Sequence, residues 1–210
     1  MNDNVKEIID RLEACYPDAE CELHFSTPLE LLIATMLSAQ TTDKQVNKVT
    51  ERLFQDCRTL DDYLTLSIEE IQKYIHTLGF YNTKSQNLYK MFRQLAADYE
   101  GEVPRTMEEL VRLPGVGRKT ANVVMSNVFD VPAIAVDTHV FRVSNRIGLA
   151  DADTVEKTER QLQEAIDKDR WTKTHHVLIF HGRRCCSARN PKCELCVIQS
   201  YCKYWNGGRK

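Results

Sequence analysis

Leu113-Pro114-Gly115-Val116-Gly117-Arg118-Lys119-Thr120-Ala121-Asn122 is the stretch that decides how this chain is read. An amphipathic run, Met107 to Leu113, leads into it and an apolar run, Val123 to Val128, leads out. Thr106 with Glu109 three residues later is a capping-box signature, so a helix opens there. Pro114 and Gly115 stop that helix, and Gly117 supplies backbone freedom for a second sharp turn. The prediction is two short helices joined by a tight hairpin, with Lys119 in the first turn of the second. A helix start of this kind offers unpaired amides at a positive dipole end, which suits a phosphate. A nucleic-acid backbone is a natural partner for an anion site that carries no base-reading side chains.

A Gly-x-Gly turn alone is a weak signal, met also in ordinary helix connections. Lys119 adds the information. The helix start and neighbouring Arg118 both disfavour an ammonium ion, and burial would add to them. A lysine with a lowered pKa is a nucleophile able to form a Schiff base.

Around this stretch, 210 residues allow one large domain or two small ones, and 42% hydrophobic residues exclude a disordered chain. The net charge of −2 does not advertise a nucleic-acid-binding protein, so its distribution matters. Residues 1–30 carry eight acidic residues against Lys6 and Arg11. Residues 181–210 carry seven cations, among them Arg189, Lys192, Arg209 and Lys210, against Glu194 alone. An acidic start thus masks a basic end. Met1 to Asp10 lacks an apolar signal region and no window is apolar enough to span a bilayer. The expected compartment is a reducing cytoplasm, where clustered cysteines bind metal more often than they form disulfides.

Along the chain, Val5, Ile8, Ile9 and Leu12 share one helical face that Tyr16-Pro17 closes. Cys15, Cys21 and Cys57 lack ligand spacing and read as reduced thiols. Thr27-Pro28-Leu29-Glu30 caps a run, Leu31 to Leu37, that is apolar nearly all round and therefore a buried central helix. Gln40 follows it, either as a capping or core amide or as an amide that fills the space left by a displaced base. Ser67 and Glu70 cap another helix. Phe80 sits on the next turn, where an apolar side chain either fills core or wedges between stacked bases. The helix after it turns Leu88, Met91, Phe92, Leu95 and Ala96 inward.

Gly101 to Arg105 and Ile147 to Asp153 read as linkers. Between them, the apolar run Val131 to Val136 ends abruptly at Asp137, which reads as the N-cap of a helix from Thr138 onward. A capping carboxylate at the edge of a core would be held rigidly and kept ionised by the amides it accepts. His139 could reach the same place, although a plain first-turn histidine explains it too. An amphipathic helix with Val155, Leu162, Ala165 and Ile166 follows, then one with Val177, Leu178 and Ile179. His175, His176 and His181 lie on or near the latter and read as core or surface residues. Strand-like alternation is nearly absent, so the fold class is all-α.

Cys186, Cys193, Cys196 and Cys202 form C-x6-C-x2-C-x5-C, with Cys185 as an extra neighbour. Zinc sites usually pair two short knuckles, and here only Cys193 and Cys196 make one. Four thiolates on longer spacers suit an iron–sulfur cluster; on spacing alone both metals stay open. Closing this loop would present Arg189 and Lys192 on a rigid platform, a plausible phosphate contact.

Leu-Ser-Ala-Gln-Thr-Thr-Asp (37–43), Leu-Pro-Gly-Val-Gly-Arg-Lys-Thr-Ala (113–121), Val-Asp-Thr-His (136–139) and the terminal cysteines are together highly specific. With them the chain, over nearly its whole length, resembles the endonuclease III family of the helix-hairpin-helix DNA glycosylase/AP lyase superfamily. The resemblance implies two helical domains flanking a DNA-binding cleft. One is a six-helix barrel with the helix-hairpin-helix, residues 22–130; the other, residues 1–21 plus 131–210, carries a [4Fe–4S] cluster held by Cys186, Cys193, Cys196 and Cys202.

It further implies that Lys119 is the nucleophile and Asp137 its carboxylate partner, in a base-excision enzyme that removes oxidised pyrimidines and nicks the strand. Gln40 would fill the vacated space and Phe80 would wedge the opposite strand, although leucine is common at that turn in similar enzymes. Gly115, Val116, Gly117, Arg118, His139, Arg189 and Lys192 complete the DNA contacts. The expected partner is double-stranded DNA with a damaged pyrimidine or abasic site, met by a cytoplasmic monomer without a membrane. Related adenine glycosylases lack the lysine and carry a further C-terminal domain. Lys119, and an end soon after Cys202, fit the lyase-competent branch.

Overall fold

A computed structural model describes residues 1–207, and among these there is no β-strand. Arg209 and Lys210, part of the basic end, lie outside the described residues. Backbone contacts divide the chain into two compact units, residues 22–130 and residues 1–21 with 131–210.

The first unit holds α2 (Pro28–Leu37), α3 (Asp43–Asp56), α4 (Leu60–Thr65), α5 (Ile68–Ile75), α6 (Tyr81–Asp98), α7 (Met107–Leu110) and α8 (Arg118–Val128). Every side chain from Leu31 to Leu37 is buried, so α2 is the axis on which α3, α6 and α8 pack. Its start has Pro28 in the first turn and Thr27 Oγ1 accepting from the Glu30 amide, while the Glu30 carboxylate accepts from the Ser26 amide rather than from Thr27. Ser67 and Glu70 close a full reciprocal capping box at α5. α6 buries Leu88, Met91, Phe92 and Leu95, and Phe92 stacks on Tyr63 of α4 with centroids 4.8 Å apart. Ala96, expected inward, is exposed beside buried Leu95, so it falls just off the buried face of α6.

The second unit joins α1 (Asp3–Cys15) to α9 (Thr138–Ile147), α10 (Val155–Ala165), α11 (Trp171–Arg184) and α12 (Lys203–Asn206). Val5, Ile8, Ile9 and Leu12 of α1 join Val140, Val143, Val177 and Leu178 in one core. At roughly 25 cal/mol per Å² of apolar surface, a fully buried side chain of this size contributes about 1.5–3 kcal/mol, which is what ties the chain's beginning to its end. Val155 is 42% exposed: it is the first residue of α10, before the helix meets its neighbours. Ala133 to Val136 runs buried, outside any helix, into Asp137.

Candidate functional site

The Leu113 stretch folds as a hairpin whose anchors are apolar. Leu113 and Val116 are buried, and the Val116 amide closes the turn on the Leu113 carbonyl at 3.1 Å. Gly115 has φ +77°, and a Cβ there would lie 2.7 Å from Asn87 Nδ2 on α6. Both facts require glycine. Gly117 is the N-cap of α8, and the intrahelical ladder begins with the Ala121 amide on the Gly117 carbonyl. The amides before it therefore have no partner within the helix, and no acidic residue occupies the first turn. Arg118 and Lys119 stand there, both exposed. α7 is shorter than the amphipathic run, ending at Leu110 before turns to Leu113.

In the same unit, Gln40 and Phe80 both adopt the left-handed backbone, at φ 54° and 57°. Phe80 is 64% exposed at the start of α6, so it fills no core. Both line a cavity of about 170 Å³ that Lys84, Asn87 and Gly115 also border.

In the other unit, Asp137 is the N-cap of α9, its Oδ1 accepting from the Val140 amide at 2.7 Å. His139 is half-buried, and its Nδ1 meets Arg142 Nη2 at 3.2 Å. The same guanidinium donates to the carbonyls of Gly182 and Cys186 at 3.0 and 3.1 Å. One turn on, Arg146 donates to the carbonyls of Ser187 and Ala188 at 2.7 and 2.8 Å and lies 4.8 Å over the Tyr204 ring. α9 thus grips the start of the cysteine loop with two guanidinium groups.

Cys186, Cys193, Cys196 and Cys202 all line one small apolar cavity, with Cys185, His181, Pro191 and Trp205. Burial pushes the Cys196 thiol up to about 12 and Cys202 in the same direction, so thiolates here need a strong positive partner. That donor set fits an iron–sulfur cluster, since thiolate ligation supplies the anions and the cluster iron the charge. His181 lies beside the ligands: its Nε2 is 3.7 Å from Cys196 Sγ and its Nδ1 is 3.0 Å from the Tyr16 hydroxyl. The sequence offered only the histidine; its partners are 15 and 165 residues away.

Arg189 and Lys192 stand exposed on this loop. Other cations of the basic end are spent on acids: Arg184 pairs with Asp18 at 3.0 Å and Lys203 with Asp151 at 3.1 Å. The separation into acidic start and basic end is therefore partly cancelled by folding.

A hairpin that presents helix-start amides and a lysine, in an all-helical chain closed by a cysteine-lined loop, defines a helix-hairpin-helix protein with a metal-binding C-terminal loop. Residues 33–168 match the HhH-GPD superfamily of base excision DNA repair proteins, and residues 186–202 match the iron–sulfur binding domain of endonuclease III. Endonuclease III of Bacillus subtilis is 49% identical over 204 residues, covering 95% of this chain and 93% of that protein. Endonuclease III of Escherichia coli K12 is 46% identical, covering 94% of each. A solved structure of a trapped endonuclease III–DNA covalent intermediate superposes with a TM-score of 0.93 at 46% identity over 100% of both chains. A non-covalent endonuclease III–DNA complex gives 0.92 at 47%, covering 99% of this chain and 98% of that one. The chain belongs to the HhH-GPD superfamily, and its terminal loop is an iron–sulfur binding domain. No helix among the described residues is long and apolar enough to cross a membrane.

Proposed function

We propose that Lys119 and Asp137 carry the chemistry of this chain, a bifunctional DNA glycosylase and AP lyase of base excision repair. The observation that supports it most is an exposed lysine in the first turn of α8, directly after a hairpin suited to a DNA phosphate. The substrate is double-stranded DNA with an oxidised pyrimidine or an abasic site. The damaged base leaves the stack, at least cost where the lesion already weakens it. The Lys119 Nζ lone pair forms a bond to the sugar C1′. The C1′–N bond breaks, and its electron pair leaves with the base, which takes up a proton. Asp137 stabilises the positive charge developing on the sugar and accepts the proton that Nζ sheds.

The nitrogen lone pair then forms C1′=N as C1′–O4′ breaks; the electron pair stays on O4′, which takes back the proton from Asp137, and the resulting Schiff base acidifies the hydrogen on C2′. Loss of that proton expels the 3′ phosphate and nicks the strand, and water hydrolyses the imine to return the amine. Gln40 fills the gap left by the base and Phe80 wedges the opposite strand. Gly115, Gly117 and Arg118 hold a phosphate on the turn that buried Val116 anchors, while His139, Arg189 and Lys192 contact DNA from the other unit. Cys186, Cys193, Cys196 and Cys202 hold the [4Fe–4S] cluster, which closes the loop that presents Arg189 and Lys192. The enzyme acts as a monomer, in the cytoplasm on the nucleoid.

Borohydride trapping on a duplex with one oxidised pyrimidine tests this reading. The native chain should give a covalent adduct that Lys119→Ala abolishes; an undiminished adduct in the variant would defeat the assignment. Asp137→Asn, which can still cap α9, should slow single-turnover excision by about a hundredfold or more.

A further inference from the structure

Lys84 is a lysine with only 8% of its surface exposed, an expensive position for an ammonium group. Its Nζ donates to Thr41 Oγ1 at 2.9 Å, across 43 residues of sequence. Thr41 follows Gln40, and Lys84 lies one turn into the helix that Phe80 opens, its amide on the Phe80 carbonyl at 3.0 Å. One hydrogen bond therefore joins the loop bearing Gln40 to the turn bearing Phe80.

Gln40 and Phe80 are two of only four non-glycine residues with positive φ among the described residues. Such backbone is costly and persists only where its surroundings hold it. Another turn along α6, Asn87 presses against Gly115, leaving no room there for a Cβ. Phe80, Lys84 and Asn87 follow one another at helical spacing, so a single face of α6 touches three loops: the one after α2, its own start and the hairpin. A hydrophobic side chain would fill the space of the lysine stem at lower cost, yet could not donate to Thr41. Burial also pushes the Lys84 pKa down, which fits an amine kept for a hydrogen bond rather than for solvent.

We propose that Lys84 is a positioning residue, locking the Gln40 loop to the Phe80 turn so that both side chains enter the duplex as one rigid pair. The proposal rests on the reading of Gln40 and Phe80 as the inserted side chains. Lys84 touches neither the lesion nor the reacting atoms; it acts through the two loops it joins. Its loss should slow only substrates whose stack must be breached.

Two substrates separate these cases. One is a duplex with an oxidised pyrimidine, with 2-aminopurine as the opposite base to report unstacking. The other is a single-stranded oligonucleotide with one abasic site, which has no duplex to enter. Lys84→Met should lower the duplex-to-single-strand rate ratio by about tenfold or more and delay the 2-aminopurine signal to match, because small misplacements at an insertion step are costly. Thr41→Val, a milder change, should do the same, and the double variant should be no slower than either single one.

Equal slowing on both substrates, an unchanged ratio, or additive effects of the two substitutions would overturn the proposal. If the native chain gave no adduct on either substrate, the glycosylase reading itself would fall, and this inference with it.

Discussion

The hairpin at 113–117 and the cysteine loop at 185–202 are both short, both poor in regular structure, and both candidates for holding DNA. They are built in opposite ways. The hairpin is specified by neighbours in sequence: a proline, a positive-φ glycine, and the Leu113 and Val116 anchors. A distant constraint on it is Asn87 against Gly115. The cysteine loop has local turns too, such as the Lys192 amide on the Cys185 carbonyl at 2.9 Å, but it leans further on distant partners. The carbonyls of Cys186, Ser187 and Ala188 are held by Arg142 and Arg146 from 41 to 44 residues away, and its thiols converge on a cavity that only a metal centre would make rigid. A turn written locally tolerates loss of its partners, whereas a loop written from a distance depends on each of them.

The largest expected effect tests that dependence. Cys202→Ala should abolish the iron–sulfur absorbance and raise amide exchange throughout residues 1–21 and 131–207, because metal binding to such a loop is folding energy. Exchange in α2, α6 and α8 should stay slow; melting of both units together would break the contrast. Next, Arg146→Met removes donors from two carbonyls and should cost about 1.5–3 kcal/mol in urea denaturation. In the hairpin, Gly115→Ala combines a disfavoured φ with a contact to Asn87, for about 1–3 kcal/mol.

Acid should separate the units further. Burial holds His176 on α11 at about 3, against 6.5 for the free side chain. The unfolded chain therefore binds this proton first. Stability is fully present above about pH 6.5 and falls as pH drops toward 3, by up to about 1.4 kcal/mol per pH unit. His24 and His76, in the hairpin's unit, are exposed. Urea midpoints from pH 7 to about 4, read with and without His176→Gln, check the slope. Smallest of all, Gly117→Ala meets nothing within 4 Å at an ordinary φ, and should shift stability by only about 0.5 kcal/mol.

The same contrast explains what the sequence alone makes legible. Helix starts such as Thr27, Ser67, Thr106 and Asp137 were legible because a cap acts over three residues. So was the buried α2, whose apolar run leaves no face for water. Cysteine spacing pointed to one metal centre because its ligands are close in sequence. Lys84 on Thr41, the two arginines on the loop, and His181 between Tyr16 and Cys196 left no local trace. Each is a polar group whose partner is set by how helices pack, and no periodicity announces it. Val155 and Ala96 stand exposed for a related reason: the apolar pattern gives a helix its face but not where a neighbour stops covering it.

One consequence follows from the order in which the chain leaves the ribosome. Residues 22–130 form a unit from one contiguous stretch, available to collapse as soon as Asp130 has emerged. α1 has no such luck: Ile8, Ile9 and Leu12 pack with Val177 and Leu178, made more than 150 residues later. At about 5–20 residues per second, the first helix waits many seconds with its apolar stripe bare. The acidic side chains that crowd the start of the chain give that waiting segment a net negative charge, which opposes its association through the bare stripe.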